Sequence, residues 1–205
     1  MTELEKMLAG KIYDGSQKDI YKLRLTAHKL CKDYNDTYED QTKKRAKILK
    51  KLLPNIGEGT YIQGPIQFDY GVFTTMGKRC YVNFNWTVLD VCPVTIGDDV
   101  FIGPNCAIMT PVHPLLPHER NIKTRVDGGA YDDEYAKPIK IGSNCWLASN
   151  VTVCAGVTIG EGCVIGAGSV VTRDIPSGVF AAGNPCRVIR KITEEDSIYL
   201  KKELW

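Results

Sequence analysis

The chain has no CxxC pair among its eight cysteines, only three histidines, and 26 Lys and Arg set against 24 Asp and Glu in 205 residues. Each shortage excludes something. Without that cysteine spacing or a histidine cluster, neither a structural zinc site nor a disulfide framework is supported, and no metal is predicted. The near balance of charge argues against nucleic acid or an anionic membrane surface as a partner. No apolar run approaches the length of about 18 residues that spans a bilayer. The N-terminus, MTELEKMLAG, carries acidic residues and no apolar core, so no signal peptide is read and a cytoplasmic protein is expected.

What is present is a repeat. Six consecutive hexapeptides begin at Ile141, Leu147, Val153, Ile159, Ile165 and Val171, each with an aliphatic first residue. The next position is small (Gly142, Ala148, Cys154, Gly160, Gly166, Thr172), and the fifth is compact or β-branched (Cys145, Val151, Val157, Cys163, Ser169, Ile175). Six aliphatic hits in a fixed register arise by chance about once in several thousand trials at this composition. A period of six fits neither an amphipathic helix nor a lone strand. It fits a parallel β-helix in which three hexamers make one coil, the aliphatic residue points inward, the small fifth residue fills the space beside it, and a Gly-rich position turns the corner. Cys80, Cys106, Cys145 and Cys163 share the fifth position and read as small apolar fillers.

Residues 1–55 lack the hexamer and read as helices. Thr2 and Glu5 form a capping-box pattern with Gly10 as a stop, Ser16 and Asp19 open a second helix, and a third ends at Pro54. Ile20, Leu23, Ala27, Leu30, Cys31 and Tyr34 lie on one face of the second, where His28 falls just outside and reads as a solvated histidine. The basic residues of the third, Arg45 among them, read as a solvated face. From Ile56 the hexamer runs less cleanly, with two offsets of two residues, after Phe68 and after Val88, that bulged corners could absorb. It then stops from Pro111 to Pro138. A loop of this length inside a solenoid is more often functional than accidental, and this one holds two of the three histidines, His113 and His118. The expected organisation is a helical segment over 1–55, a β-helix over 56–190 with an inserted loop at 111–138, and a helical tail over 191–205 headed by Thr193.

Longer segments narrow the reading. AGKIYD near the start, YVNFN at 81–85, VTIGDDVFIGPN at 94–105, VHP at 112–114, EYAKPIKIGSNCW at 134–146, and VIGAGSVVTRDIP with AAGNPCRVIR resemble the maltose and galactoside O-acetyltransferases, in order along almost the whole chain. That resemblance implies a mainly β fold, a left-handed parallel β-helix of hexapeptide repeats with an N-terminal helical segment and a short C-terminal helix. It also implies a homotrimer with active sites between subunits, acetyl-CoA as donor and a sugar hydroxyl as acceptor. His113 matches the catalytic histidine, which would take the proton of the attacking hydroxyl. Glu134 matches an acidic position that orients the imidazole or contacts the acceptor. Asn83, Asp69 and Tyr81 match acceptor contacts, joined by Asp14 and by Asp90, where this chain reads LDVC and some relatives carry paired aspartates. Trp146, Ser149, Ala167, Thr172, Arg173, Arg187 and Arg190 align with stretches that line the coenzyme A groove, where Arg can grip phosphate.

Rival readings have less support. A xenobiotic acetyltransferase of the same fold would place a drug hydroxyl at the acceptor site, but the helical segment favours a sugar enzyme. A zinc carbonic anhydrase of this fold class would pair His113 with His118, yet the third histidine, His28, lies outside the solenoid. A covalent acetyl-cysteine would need a thiol near His113, and most cysteines hold packing positions, so direct transfer is expected. The glycines of IGEG and IGAG recur with the hexamer and read as corners, not phosphate loops. An inactive scaffold is disfavoured by the presence of His113, Asn83 and the donor-side arginines.

Overall fold

The computed structural model describes residues 1–204, so Trp205, the last residue of the expected tail, lies outside the described residues. From Asn55 the chain winds a left-handed parallel β-helix whose three faces hold five, seven and five strands. On the first face Thr75, Thr95, Lys140 and Thr158 stand in register, on the second Tyr61, Tyr81, Phe101, Trp146, Val164 and Phe180, and on the third Thr87, Ala107, Thr152 and Val170. The first two coils therefore advance 20 residues each, the coil holding the inserted loop 45, and the next 18. The residues in excess of 18 all leave at one corner, the edge where the third face passes to the first. The offsets after Phe68 and Val88 and the long excursion thus stack on one another.

Hexamer chemistry explains the coil. The first and fifth residues, such as Ile141 and Cys145 or Leu147 and Val151, are buried in one continuous column. Each aliphatic residue buried this way contributes about 1.5–3 kcal/mol. The buried cysteines do more than fill space. The Sγ atoms of Cys80, Cys145 and Cys163 lie 3.2, 3.0 and 3.0 Å from the carbonyl oxygens of Gly97, Gly160 and Pro176 one coil on, so the thiols donate between coils. The corner is turned at the fourth position, where Asn144, Asn150, Gly156, Gly162 and Gly168 have positive φ. The second-position glycines have a different reason: a Cβ on Gly160 would come 2.5 Å from the Ser177 amide nitrogen of the next coil.

Three helices, α1 (Glu3–Leu8), α2 (Lys18–Asn35) and α3 (Thr42–Leu52), form a cap on the first coils. The Thr2–Glu5 capping box is formed. Ser16 does not cap α2, whose N-cap is Gln17 without a side-chain bond, because its hydroxyl is bonded to Asp14. The α2 face bearing Ala27, Cys31 and Tyr34 packs into the solenoid core, while Met7, Ile20 and Tyr13 join Tyr70 and Val91 in a second cluster at the excursion edge. Arg45 departs from the solvated face expected of α3. It is buried, donating to the Tyr34 hydroxyl at 2.8 Å and the Ile62 and Gln63 carbonyls at 2.7 and 2.6 Å, with its guanidinium over the Tyr34 ring. At the other end Arg187–Lys191 adds an antiparallel strand to Val179–Ala182, and the expected closing helix is three 3-10 turns, headed by a Thr193–Asp196 capping box. No helix among the described residues is long and apolar enough to cross a membrane.

Candidate active site

The excursion starts as a hairpin stem. Pro111–Val112 pairs antiparallel with Tyr135–Ala136, Val112 opposite Tyr135, so His113 and Glu134 emerge across from one another. Tyr13 of the cap bridges to Glu134, donating its amide to the Glu134 carbonyl at 3.1 Å. One segment of the cap and both limbs of the stem therefore meet at Glu134. The imidazole, the Glu134 carboxylate and the Asp132 carboxylate each offer an atom within 4.8 Å of the others, and Asp132 Oδ2 is 3.6 Å from His113 Nδ1. His113 is half exposed beside a cleft of about 190 Å³ lined by Asp132 and Glu134 together with Arg24 and Tyr131.

The electrostatics follow from partial burial. Burial pushes the Glu134 carboxyl above its ordinary range. The Tyr13 hydroxyl, which donates to it, and the nearby His113 oppose that rise, while Asp132 and Asp69 add to it. Burial also raises Tyr13, and takes Tyr70 to about 12 against the pull of Arg24. Asp69 is raised by burial and by Asp90, and drawn down by His28 and Arg24, with His28 Nε2 3.9 Å from its Oδ1.

The expected site residues fall on two edges of the prism. On the third–first edge lie Asp69, Asp90, the stem with His113 and Glu134, and, two coils on, the exposed Thr172 and Arg173. On the second face and its edge toward the third lie Tyr81, Asn83, Trp146, Ser149 and Ala167. Asn83 accepts from its neighbour Phe84 there, and Tyr81 stacks on Tyr61 at 5.9 Å. Trp146 is 52% exposed and lies in a groove with Phe180, Arg190 and Asp196. Arg190 forks onto Asp196 at 2.5 and 2.7 Å, and Arg187 donates to the Cys186 carbonyl.

Two of the expected acceptor contacts already have partners within the chain. Asp90 is fully buried and out of reach of an acceptor: it accepts from the Tyr70 amide at 2.9 Å and the Thr74 hydroxyl at 3.0 Å, pinning the bulged corner that carries Asp69. Asp14 is likewise engaged, taking the Ser16 amide and hydroxyl, the Gln17 amide group and the Arg125 guanidinium. His118 sits exposed on the short helix Pro117–Arg120. Sequence reasoning missed Asp132, Tyr13, Arg24 and the placement of His28 beside Asp69. The acidic run Asp132–Asp133–Glu134 and the i, i+4 pair Arg24 and His28 on α2 were the available signals.

Profiles of three sequence families match. The maltose acetyltransferase hexapeptide capping motif covers residues 6–57, the bacterial transferase hexapeptide (six repeats) residues 138–173, and the hexapeptide repeat of succinyl-transferase residues 93–113. The galactoside O-acetyltransferase of Escherichia coli (strain K12) is 39% identical over 99% of this chain and 96% of its own. The crystal structure of a maltose O-acetyltransferase from Clostridium difficile 630 is 42% identical, with a TM-score of 0.86 over 95% of this chain and 99% of that one. A galactoside acetyltransferase in complex with coenzyme A is 38% identical, with a TM-score of 0.87 over 96% and 94%.

Proposed function

This chain belongs to the maltose and galactoside O-acetyltransferase family of hexapeptide acyltransferases, and from that premise we propose that it transfers acetyl from acetyl-CoA to a sugar hydroxyl with His113 as general base. The observation that carries the reading is the half-exposed His113, 3.6 Å from Asp132 and across the stem from Glu134, two carboxylates that line an adjacent cleft. As the hydroxyl oxygen attacks the thioester carbonyl carbon, the imidazole takes its proton. The tetrahedral adduct then collapses, the C–S bond breaks, and the departing coenzyme A thiolate takes that proton back. Asp132 stabilises the imidazolium formed between the two steps, since an opposite charge a few ångströms away favours the charged form. The Tyr13 hydroxyl holds the Glu134 carboxylate toward the same space. Coenzyme A bound to a 38% identical relative supports the donor, with Trp146, Ser149, Ala167, Thr172, Arg173, Arg187 and Arg190 as its candidate wall.

A cysteine route is less suited to the site, because burial raises the Cys80, Cys106 and Cys145 thiols, the last to about 11, and leaves them little thiolate at neutral pH. The division of both residue sets between two edges supports a site shared by neighbouring copies. Asn83 and Tyr81 would face His113 of the next subunit, and Trp146, Ser149 and Ala167 would face Thr172 and Arg173, in a homotrimer. The test is free thiol release from acetyl-CoA across a panel of sugars and hydroxylated antibiotics. Turnover with sugars is the expected result. Turnover confined to the antibiotics, or none at all, rejects the reading.

A further inference from the structure

The outer half of the excursion carries a second hairpin that the transfer chemistry does not use. Lys123–Thr124 pairs antiparallel with Ala130–Tyr131, with Gly128 turning between them at φ +84°. It is tied down on both sides. Lys123 pairs with Asp133 at its base, and Arg125 reaches across to the cap, where its guanidinium meets the Asp14 carboxylate and the Ser16 hydroxyl, the latter at 2.7 Å. Both cations also lie over the Tyr131 ring, 5.9 Å from its centroid. Hairpin and cap both line the cleft beside His113: Tyr131 and the adjoining Ile122 from one, Ser16 and Arg24 from the other, together with Asp132 and Glu134.

Resting on the sugar reading, we propose that this hairpin is a size selector for the acceptor, latched shut by Arg125 on Asp14, which confines the cleft to a single uncharged sugar ring. Three features carry the argument. The cleft is small, about 190 Å³, and Ala130 and Tyr131 of the hairpin line it with the adjoining Ile122, so moving the hairpin enlarges the space open to a second ring. Two carboxylates also line it, with Asp69 close enough to raise Glu134. These accept hydrogen bonds from sugar hydroxyls and repel phosphorylated or acidic sugars. Tyr131 and Ile122 offer an apolar wall to the C–H face of a ring. The latch persists at neutral pH: although burial opposes it, hydrogen bonds from Ser16 and Gln17 and the charge of Arg125 hold Asp14 below the usual carboxylate range. Arg125 is thus a positioning residue, acting through the hairpin.

The experiment compares the full-length protein with Arg125→Ala, Arg125→Lys and a variant with residues 123–130 replaced by Gly-Gly. It measures kcat and KM for methyl glucoside and for maltose at saturating acetyl-CoA, with circular dichroism checking the fold. The selector predicts that Arg125→Ala and the hairpin replacement lower the monosaccharide-over-disaccharide ratio of kcat/KM by about tenfold. The change lies in KM, the monosaccharide kcat of Arg125→Ala stays within about twofold, and Arg125→Lys recovers part of the preference. An unchanged ratio in both folded variants, with an active parent, overturns the selector alone. An equal fall in kcat for both acceptors overturns it too, as a merely structural role. A parent protein inert toward every sugar of the panel removes the sugar reading and the selector with it.

Discussion

Glu134 is where stability and chemistry pull in opposite directions. Its carboxyl is raised in the folded protein by burial, so the charged form is disfavoured by folding relative to the unfolded chain. For a raised carboxyl the sign is a penalty. It is fully present above the folded value, shrinks as pH falls through the window between folded and unfolded values, and vanishes below the ordinary carboxylate range. Glu134→Gln, which keeps an oxygen for the Tyr13 hydroxyl, is therefore expected to raise Tm at pH 7, with the gain disappearing on acidification toward pH of about 4. Thermal melts across pH check it, and a constant gain at every pH would assign the effect to packing. His113 is the opposite case, half exposed and dispensable to the core. His113→Ala is expected to leave Tm and coenzyme A binding unchanged while kcat falls by about 10² to 10⁴; near-normal turnover would remove it as the base. The histidine was legible in the VHP segment, but Asp132 was not, because only the antiparallel stem decides which acid of Asp132–Asp133–Glu134 faces the imidazole.

At the scale of the hexamer, the glycine positions divide by mechanism. Gly160 sits where the next coil passes within van der Waals distance, whereas Gly162 turns the corner at φ +68° with nothing within 4 Å of an added Cβ. Asn occupies the corner position elsewhere, at Asn144 and Asn150, because its short polar side chain tolerates the left-handed region. Gly162→Asn is accordingly expected to shift stability by under about 0.5 kcal/mol, and Gly160→Ala to lower it by about 3 kcal/mol through backbone overlap. Urea midpoints of the two variants test the assignment, and equal shifts would contradict it. The repeat itself was readable from Ile141 onward, as were the inward first and fifth positions. The corner was not, since spacing shows where glycine recurs and not whether a φ or a close approach requires it. The same limit applies to Arg45: helical periodicity places it on a basic face, and only the docking of α3 on the first coil turns it onto the Ile62 and Gln63 carbonyls.

For the whole molecule, the consequential fact is that every irregularity of the solenoid leaves by the same edge. The two-residue offsets carry Asp69 and Asp90, and the excursion carries His113 and Glu134, so stacking the coils collects four acidic or basic groups that are far apart in sequence. Asn83 and the Trp146 wall belong to a different edge, which sets up the test of a shared site. His113→Ala and Asn83→Ala, each impaired alone, are expected to recover activity when co-expressed, approaching about a quarter of intact sites on random mixing of subunits. No recovery in verified mixed oligomers would place the whole site within one chain.

Period, inward column, helical cap and the family's segments could all be read along the chain, because each depends on residues a few positions apart. Which corner the interruptions share, that Asp90 is sealed inside and that Asp14 is spent on Arg125 depend on contacts between coils or between cap and excursion, over separations from 20 to 111 residues. Contacts at that range are set by how many residues each coil takes and by which way the excursion folds back. Those are properties of the stacked solenoid that no single hexamer contains.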